Sequence, residues 1–163
     1  MKAISLWQPW ASAIACGSKT IETRHWSTKY RGPLAIHAAK HFDKEELIYF
    51  ASCWHWCGAL EPIGLKMGGK NSIIDLLPFG AIVAVCNLSA CHSTGSLLNQ
   101  FLNEKRYPKR GGESCAWTEN SMGDFSLGRF GWILKDIKPL KKPYLFKGSQ
   151  GLFEVPDFIT KYL

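Results

Sequence analysis

Three side chains close together in the sequence, Lys19, Glu22 and Arg24, carry the chemistry that stands out. Thr20-Ile21-Glu22-Thr23-Arg24 alternates with period two, so a strand here places Ile21 and Thr23 on one face and Glu22 and Arg24 on the other. With Lys19 at the entrance to that strand, one carboxylate and two cations can converge on a small volume. Arginine supplies a planar fork for a phosphate or a base edge, and lysine a mobile point charge. A carboxylate accepts from an exocyclic amine, or works as a general base if its pKa is raised. Thr20 and Thr23 add hydroxyls. The same spacing also describes an ordinary Glu–Arg salt bridge at a sheet edge.

Aromatic residues flank this group. Nucleic-acid bases stack on indole faces for about 1–3 kcal/mol each in single-strand binders. Trp7 and Trp10 precede the group and Trp26 follows it. Trp10 lies on the inner face of a short helix and reads as core, whereas Trp26, between His25 and Ser27, is the better platform. His37 interrupts an apolar strand, where a hydrogen-bonded core histidine competes with a general base, and Lys40 follows just beyond. Glu119 after Trp117, with Ser126 and Arg129 nearby, offers a distal carboxylate and phosphate contacts, or a turn and cap. In Lys147-Gly148-Ser149-Gln150-Gly151 two glycines let backbone N–H groups approach an anion, although glycines also simply make tight turns. Cys53, His55 and Cys57, with Cys91-His92, suggest a metal, but the spacing is not that of a zinc ribbon, and no metal or cofactor is expected.

The elements that must carry these groups are short. Ala3–Trp7 reads as an opening strand, and Gln8-Pro9 as a helix start with proline in its first position, ending at Gly17. Leu34–Ala39 is a nearly continuous apolar run, as in a strand buried on both faces. Asp43 caps a helix whose stripe of Leu47, Ile48, Phe50, Ala51 and Trp54 should cover the sheet. Residues 58–72, with Gly58, Gly64, Gly68 and Gly69, read as a loop without an element of its own. Phe79–Leu88, β-branched and apolar, is the strongest strand and should be central. Leu97–Leu102 predicts a short helix, and Ala116–Glu119, Phe130–Leu134 and Leu152–Val155 predict late short strands.

Composition bounds the function. The 163 residues fit one domain, 1–163, and an apolar content of 46% supports a real core. No run of about 18 apolar residues suggests a membrane helix and no secretory leader opens the chain, so a cytoplasmic protein with reduced thiols at its six cysteines is expected. The net charge of +7 favours anionic partners and a basic cleft that receives them. Residues 1–40 hold Lys2, Lys19, Arg24, Lys29, Arg31 and Lys40 against Glu22 alone, and Lys105, Arg106, Lys109 and Arg110 form a second cluster. Walker, Rossmann, Ser-His-Asp and HExxH patterns do not occur, which leaves nucleotide-driven and metalloprotease chemistry unsupported.

Beyond these readings, Ser5-Leu6-Trp7-Gln8-Pro9-Trp10, Gly17 to Arg24 and Tyr30-Arg31-Gly32-Pro33 running on to Lys40 closely resemble bacterial ASCH-domain proteins. The likeness continues in Pro78-Phe79-Gly80-Ala81-Ile82-Val83, in Gly123-Asp124-Phe125 through Trp132 and in Lys147 through Phe153, leaving about residues 53–77 and 92–113 individual. The resemblance implies an α+β fold, a PUA-like mixed β-barrel with flanking helices and a cleft on one side, that binds RNA or a nucleotide-like ligand, with DNA as an alternative. On that reading the ligand meets Trp7, Gln8, Lys19, Glu22, Arg24, Trp26, Arg31, His37, Lys40, Arg129, Lys147, Ser149 and Gln150.

Relatives of this family differ in activity. Some resemble ribonucleases, and a small subgroup hydrolyses the acetyl amide of acetylated cytidine with Lys and Thr of a Lys-x-x-Thr segment and a distal Glu. Here the segment is Lys19-Thr20-Ile21-Glu22, with glutamate in place of that threonine, so the resemblance departs from that mechanism. As a hydrolase on RNA or a modified nucleoside, the chain would use Lys19, Glu22, Thr23 and Glu119. A protein-interaction domain using the long loops is the third reading.

Overall fold

A computed structural model of the chain describes residues 1–67, 72–103, 109–110, 113–114 and 121–162. In chain order these form β1 (Lys2–Leu6), α1 (Trp10–Ala15), β2 (Ile21–Arg24), β3 (Gly32–Ala38), α2 (Lys44–Ser52), α3 (Trp54–Ala59), α4 (Ile73–Leu76), β4 (Ala81–Ser93), α5 (Thr94–Asn103), β5 (Lys109–Arg110), β6 (Glu113–Ser114), β7 (Phe130–Leu145) and β8 (Leu152–Glu154). Six strands make one sheet in the order β2-β7-β4-β3-β1-β8, and β5 pairs with β6 apart from it. β1 and β3 run parallel, which α1 and β2 make possible by carrying the chain between them. The other pairings in the sheet are antiparallel.

The sheet is curled. Arg24, on the first strand of the order, donates from Nη2 to the carbonyl of Ser5, on the fifth, at 2.7 Å. A flat sheet would hold those strands far apart, since neighbours are about 4.8 Å apart. The bending comes from bulges. Pairing of β4 with β7 shifts register three times, and Lys135, Asp136, Ile137 and Lys138 span the distance that Val85 to Asn87 span opposite. Asp136 takes the extra turn in the left-handed region, at φ 52°.

The barrel side of the core gathers Ile4, Leu6, Leu34, Ile36, Leu88 and Trp132, closed by Ala11 and Ile14 of α1. Ala13 points the other way, into a second cluster with Leu47, Trp56, Leu60 and Ile73. One short helix therefore joins two apolar layers. Asp43 caps α2 as expected, accepting from the Glu46 N–H at 3.0 Å. The helix then breaks, because Cys53 is extended at φ −93° and ψ 122° and α3 starts anew. That break corrects the predicted stripe: Leu47, Phe50 and Ala51 pack on the helical cluster rather than on the sheet, and Ile48 and Trp54 stand exposed at 55% and 56%.

Residues 58–72, expected to carry no element, contain the end of α3 and a 3-10 turn at Glu61–Ile63. Burial of Leu60 and Leu65 drives this local order. The central strand β4 begins at Ala81 and runs to Ser93, and α5 starts earlier than predicted. Pro9 stands at the N-cap of α1 rather than inside it. The predicted strand 116–119 lies outside the described residues. Among the described residues five cysteines are free thiols, and burial pushes Cys16 up to about 11 and Cys86 up to about 12.

β7 is much longer than the predicted Phe130–Leu134. Beyond Leu134, whose N–H still donates to the Thr20 carbonyl at 2.8 Å, it pairs with β4 on one side only among the described residues, because β2 is four residues long. An open strand edge invites pairing with another chain, and lysine, proline and bulges blunt it. This edge carries Lys135, Lys138, Lys141 and Lys142, all exposed, with Pro139 between them and Pro143 just after. The interrupted alternation hid the strand, and the interruption is what the edge requires.

His37, expected among the ligand-binding residues, is instead part of the frame. It is 2% exposed, its Nε2 donates to the Phe146 carbonyl at 2.9 Å, and its Nδ1 lies 3.0 Å from Ser5 Oγ. A carbonyl can only accept, so Nε2 carries the proton and Nδ1 accepts from the serine hydroxyl. Burial lowers the imidazole pKa below its ordinary 6.5, against the opposing pull of the Phe146 bond. Well above pH 6.5 neither the folded nor the unfolded histidine is charged. Below it the unfolded chain binds a proton that the folded chain refuses, so stability falls with pH by up to about 1.4 kcal/mol per unit. Urea unfolding between pH 7.5 and 5 should therefore be more pH-dependent for the wild type than for His37→Gln; parallel curves would contradict this account.

Candidate functional site

A cavity of about 880 Å³ opens where β1, β2, α1, the helical layer and two loops meet. Leu6, Trp7 and Trp10 come from the first strand and helix, Phe50 and Trp56 from the helical layer, and Ser121–Asp124 and Ser149–Gly151 from the loops. Glu22, Thr23 and Arg24 bring the central strand of the sequence argument to its surface. The polar face of β2 therefore does not look out to solvent: Glu22 is 8% exposed.

The ion group is ordered around that carboxylate. Glu22 Oε2 lies 3.7 Å from Lys19 Nζ, and Oε1 lies 3.3 Å from Arg24 Nε. The Arg24 contact has ion-pair distance without hydrogen-bond alignment, since Nε has no hydrogen-bond partner, and the guanidinium is aimed instead at Ser5 by Nη2. Lys19 is completely buried and also donates to the Ile21 carbonyl. The chain brings it there by wrapping the end of α1, where the N–H groups of Ser18 and Lys19 both donate to the Ala13 carbonyl. Lys19 stands behind Glu22 and does not line the cavity.

A second ion pair lies across the opening. Arg129 Nε is 3.2 Å from Asp124 Oδ2 and donates to the Asp124 carbonyl at 3.2 Å. Hydrogen bonds from Ser126, and then the charge of Arg129, hold the Asp124 carboxyl below its usual pKa. The Asp124 N–H donates to Thr23 Oγ1 at 3.0 Å, so the threonine hydroxyl proposed for catalysis is engaged as an acceptor. Gly123 allows this approach: a Cβ there would lie 2.8 Å from the Phe125 ring and 3.2 Å from Thr23.

The structure thus brings together Trp7, Glu22, Thr23, Arg24, Trp26, Arg129, Ser149 and Gln150, and sets the other predicted residues elsewhere. Gln8 is spent on the frame, its amide donating to the Pro78 carbonyl at 2.7 Å and accepting from the Ser12 N–H. Arg31 is exposed and bonds the carbonyls of Thr28 and Tyr30. Lys40 and Lys147 are exposed outside the lining, and Glu119 lies outside the described residues. Trp26 packs edge-on against Trp132 at 4.7 Å, whereas Trp7 is 49% exposed, so Trp7 is the freer platform.

Sequence reasoning missed Ser5, Phe50, Trp56 and Asp124. Asp124 was visible only within the Gly123–Trp132 stretch of the family resemblance, and no local pattern could have aimed Phe50 and Trp56 at β2. The tempting Cys53, His55 and Cys57 diverge: Cys53 and Cys57 turn their thiols to the carbonyls of Tyr49 and Ala51, and His55 sits beside Trp54. Among the described residues no three or more His, Cys, Asp or Glu side chains converge as for a metal. No helix of the described residues is long and apolar enough to cross a membrane.

Removing one partner from a buried ion pair strands the other charge, at about 3–5 kcal/mol, while replacing both can be near neutral. Glu22→Gln should therefore destabilise the fold more than the double change Glu22→Gln with Lys19→Met, as read from urea midpoints. If the double variant is the less stable of the two, Lys19 is held by something other than Glu22.

The family model for the ASCH domain matches residues 4–140. No curated protein matches the chain. Among solved structures, ASCH from Zymomonas mobilis is similar at a TM-score of 0.52 and 15% identity, over 99% of this chain and 91% of that one. A mutant form of the same protein gives 0.50 and 16%, over 98% and 93%. At such identities the structural likeness bears on the fold alone, and it agrees with the curled mixed sheet and flanking helices. The family match spans most of the sequence, and the chain belongs to the ASCH domain family, with its PUA-like fold.

Proposed function

We propose that the cavity receives the base of an RNA nucleotide or of a nucleotide-like ligand and leaves its phosphates outside. The observation that carries this is Glu22, a nearly buried carboxylate at the cavity wall, oriented by Lys19 and Arg24. A carboxylate so placed accepts from adjacent N–H donors of a heterocycle, and Trp7 offers its face for stacking. The lining argues against a phosphate inside. Its two guanidiniums are each beside a carboxylate, Arg24 beside Glu22 and Arg129 beside Asp124. Phosphate contacts would then come from outside the lining, where Arg31, Lys40 and Lys147 are exposed.

A hydrolase acting on RNA or a modified nucleoside is the second reading, and the same carboxylate favours it. Glu22 is placed to take a proton from water or a ligand hydroxyl, while Lys19, with no exposed surface, acts only through Glu22. Product formation from RNA or acetylated cytidine that Glu22→Gln abolishes would select this reading over binding alone.

Two quantities test the binding model. Affinity for a short oligoribonucleotide should fall as salt rises, with a slope of roughly −0.7 per phosphate neutralised, while affinity for free cytidine should stay nearly flat. Trp7→Ala should weaken both by about 1–3 kcal/mol, or roughly fivefold to 150-fold. Absence of binding to RNA, DNA and nucleosides alike would remove this reading.

A further inference from the structure

The segment 147–151, whose Ser149–Gly151 wall the cavity, has few ties to the rest of the molecule. Ser149 and Gln150 line the cavity, are exposed, and make no hydrogen bond to other described residues. The segment leaves the sheet at Phe146, whose N–H donates to the Gly80 carbonyl at 3.1 Å, and rejoins it at Leu152, paired with Ile4. Between those points the polar side chains that reach it come from β1 and β3. His37 Nε2 holds the Phe146 carbonyl at 2.9 Å, and the imidazole and Ser5 pack on Gly148 so closely that a Cβ there would lie 2.4 Å from His37 Cε1 and 2.7 Å from Ser5 Oγ. Phe153 presents its ring edge-on to the same imidazole at 6.0 Å. Ser5, bonded to His37 through its hydroxyl, accepts through its carbonyl from Arg24, the partner of Glu22.

We propose that His37, which does not line the cavity, is the positioning residue for the Lys147–Gly151 segment that supplies its Ser149–Gly151 wall. It fixes where Ser149 and Gln150 meet a ligand, and through Ser5 it shares that task with the Arg24–Glu22 pair. The bearing on a ligand rests on the cavity being the binding site; the bearing on the wall does not. Two contacts do the work: a donor that holds the segment at Phe146, and a flat ring on which only a residue without a Cβ can settle at Gly148. The wall is thereby set by a group whose bonds are formed before any ligand arrives.

The test uses the full chain and two variants. His37→Phe keeps a flat ring beside Phe153 and removes the donor, whereas His37→Gln keeps a donor. Backbone 15N order parameters for residues 147–151 should drop in His37→Phe from the rigid range, about 0.85, toward the flexible range below about 0.6, and recover at least in part in His37→Gln. Cytidine affinity should fall in His37→Phe, and adding Gln150→Ala should then cost less than it does in the wild type, because the two act through one wall. Where His37→Phe does not fold, Gly148→Ala loosens the same wall from the other side and is read by the same order parameters. Unchanged order parameters in the variant that folds overturn the proposal, whatever cytidine does. A loosened wall in a protein whose wild type binds no cytidine upholds the positioning role and refutes the binding model instead.

Discussion

A carboxylate removed from water must be given charges and donors of its own, and Glu22 receives them from both directions along the chain. Lys19 comes from the exit of α1 and Arg24 from the far end of β2. Because Arg24 also holds the Ser5 carbonyl, the group that neutralises Glu22 is the one that draws the first strand of the sheet order toward the fifth. Closure of the sheet and construction of the cavity are consequently one event. Buried ion groups repay their desolvation only when geometry is fixed, and here the curvature of the sheet fixes it. That curvature in turn depends on bulges along β4 and β7, remote from the charges they bring together.

The distribution of charge separates the cavity from the rest of the surface. A net charge of +7 suggested a basic cleft, yet the cavity lining sets two carboxylates against two guanidiniums. Four lysines of the surplus lie along the open side of β7, where they keep the edge from pairing with another strand. Lys40 and Lys147 are exposed beyond the lining. On the proposed reading a surface of this kind attracts polyanions from a distance, while selection inside the cavity falls to hydrogen bonding and aromatic contact. The two properties are then separable by salt, which weakens the first and spares the second.

Local periodicity carried the sequence reading where the signal itself was local. The alternation over Thr20–Arg24 identified β2 and set Glu22 beside Arg24, and the apolar run around Ile36 announced a buried strand. What periodicity could not supply was the direction of a face. Glu22 and Arg24 read as one polar face, gathered at a cleft or paired at a sheet edge, because the sequence does not reveal that the sheet curls over them. The histidine of the apolar run was legible as a core group, but its partner at Phe146 is 109 residues away, and no spacing links them. Gln8 failed for a similar reason, since the Pro78 carbonyl that takes its amide lies 70 residues on. The break at Cys53 was hidden because α2 and α3 are both apolar enough to continue one helix.

Glycines tie these observations together. Two of the loops that wall the cavity contain a glycine pressed against a strand side chain, Gly123 on Thr23 and Gly148 on His37. In both cases the residue that receives the glycine also hydrogen-bonds the loop: Thr23 accepts from the Asp124 N–H, and His37 donates to the Phe146 carbonyl. A loop held by a polar contact and a close backbone approach together has little room to slide, because moving it breaks the bond and opens a void at once. The walls are therefore seated on β2 and β3, the strands whose positions the curled sheet fixes. It follows that the cavity's shape is a property of the barrel rather than of its loops, and that a ligand bound as proposed would meet polar groups already in place.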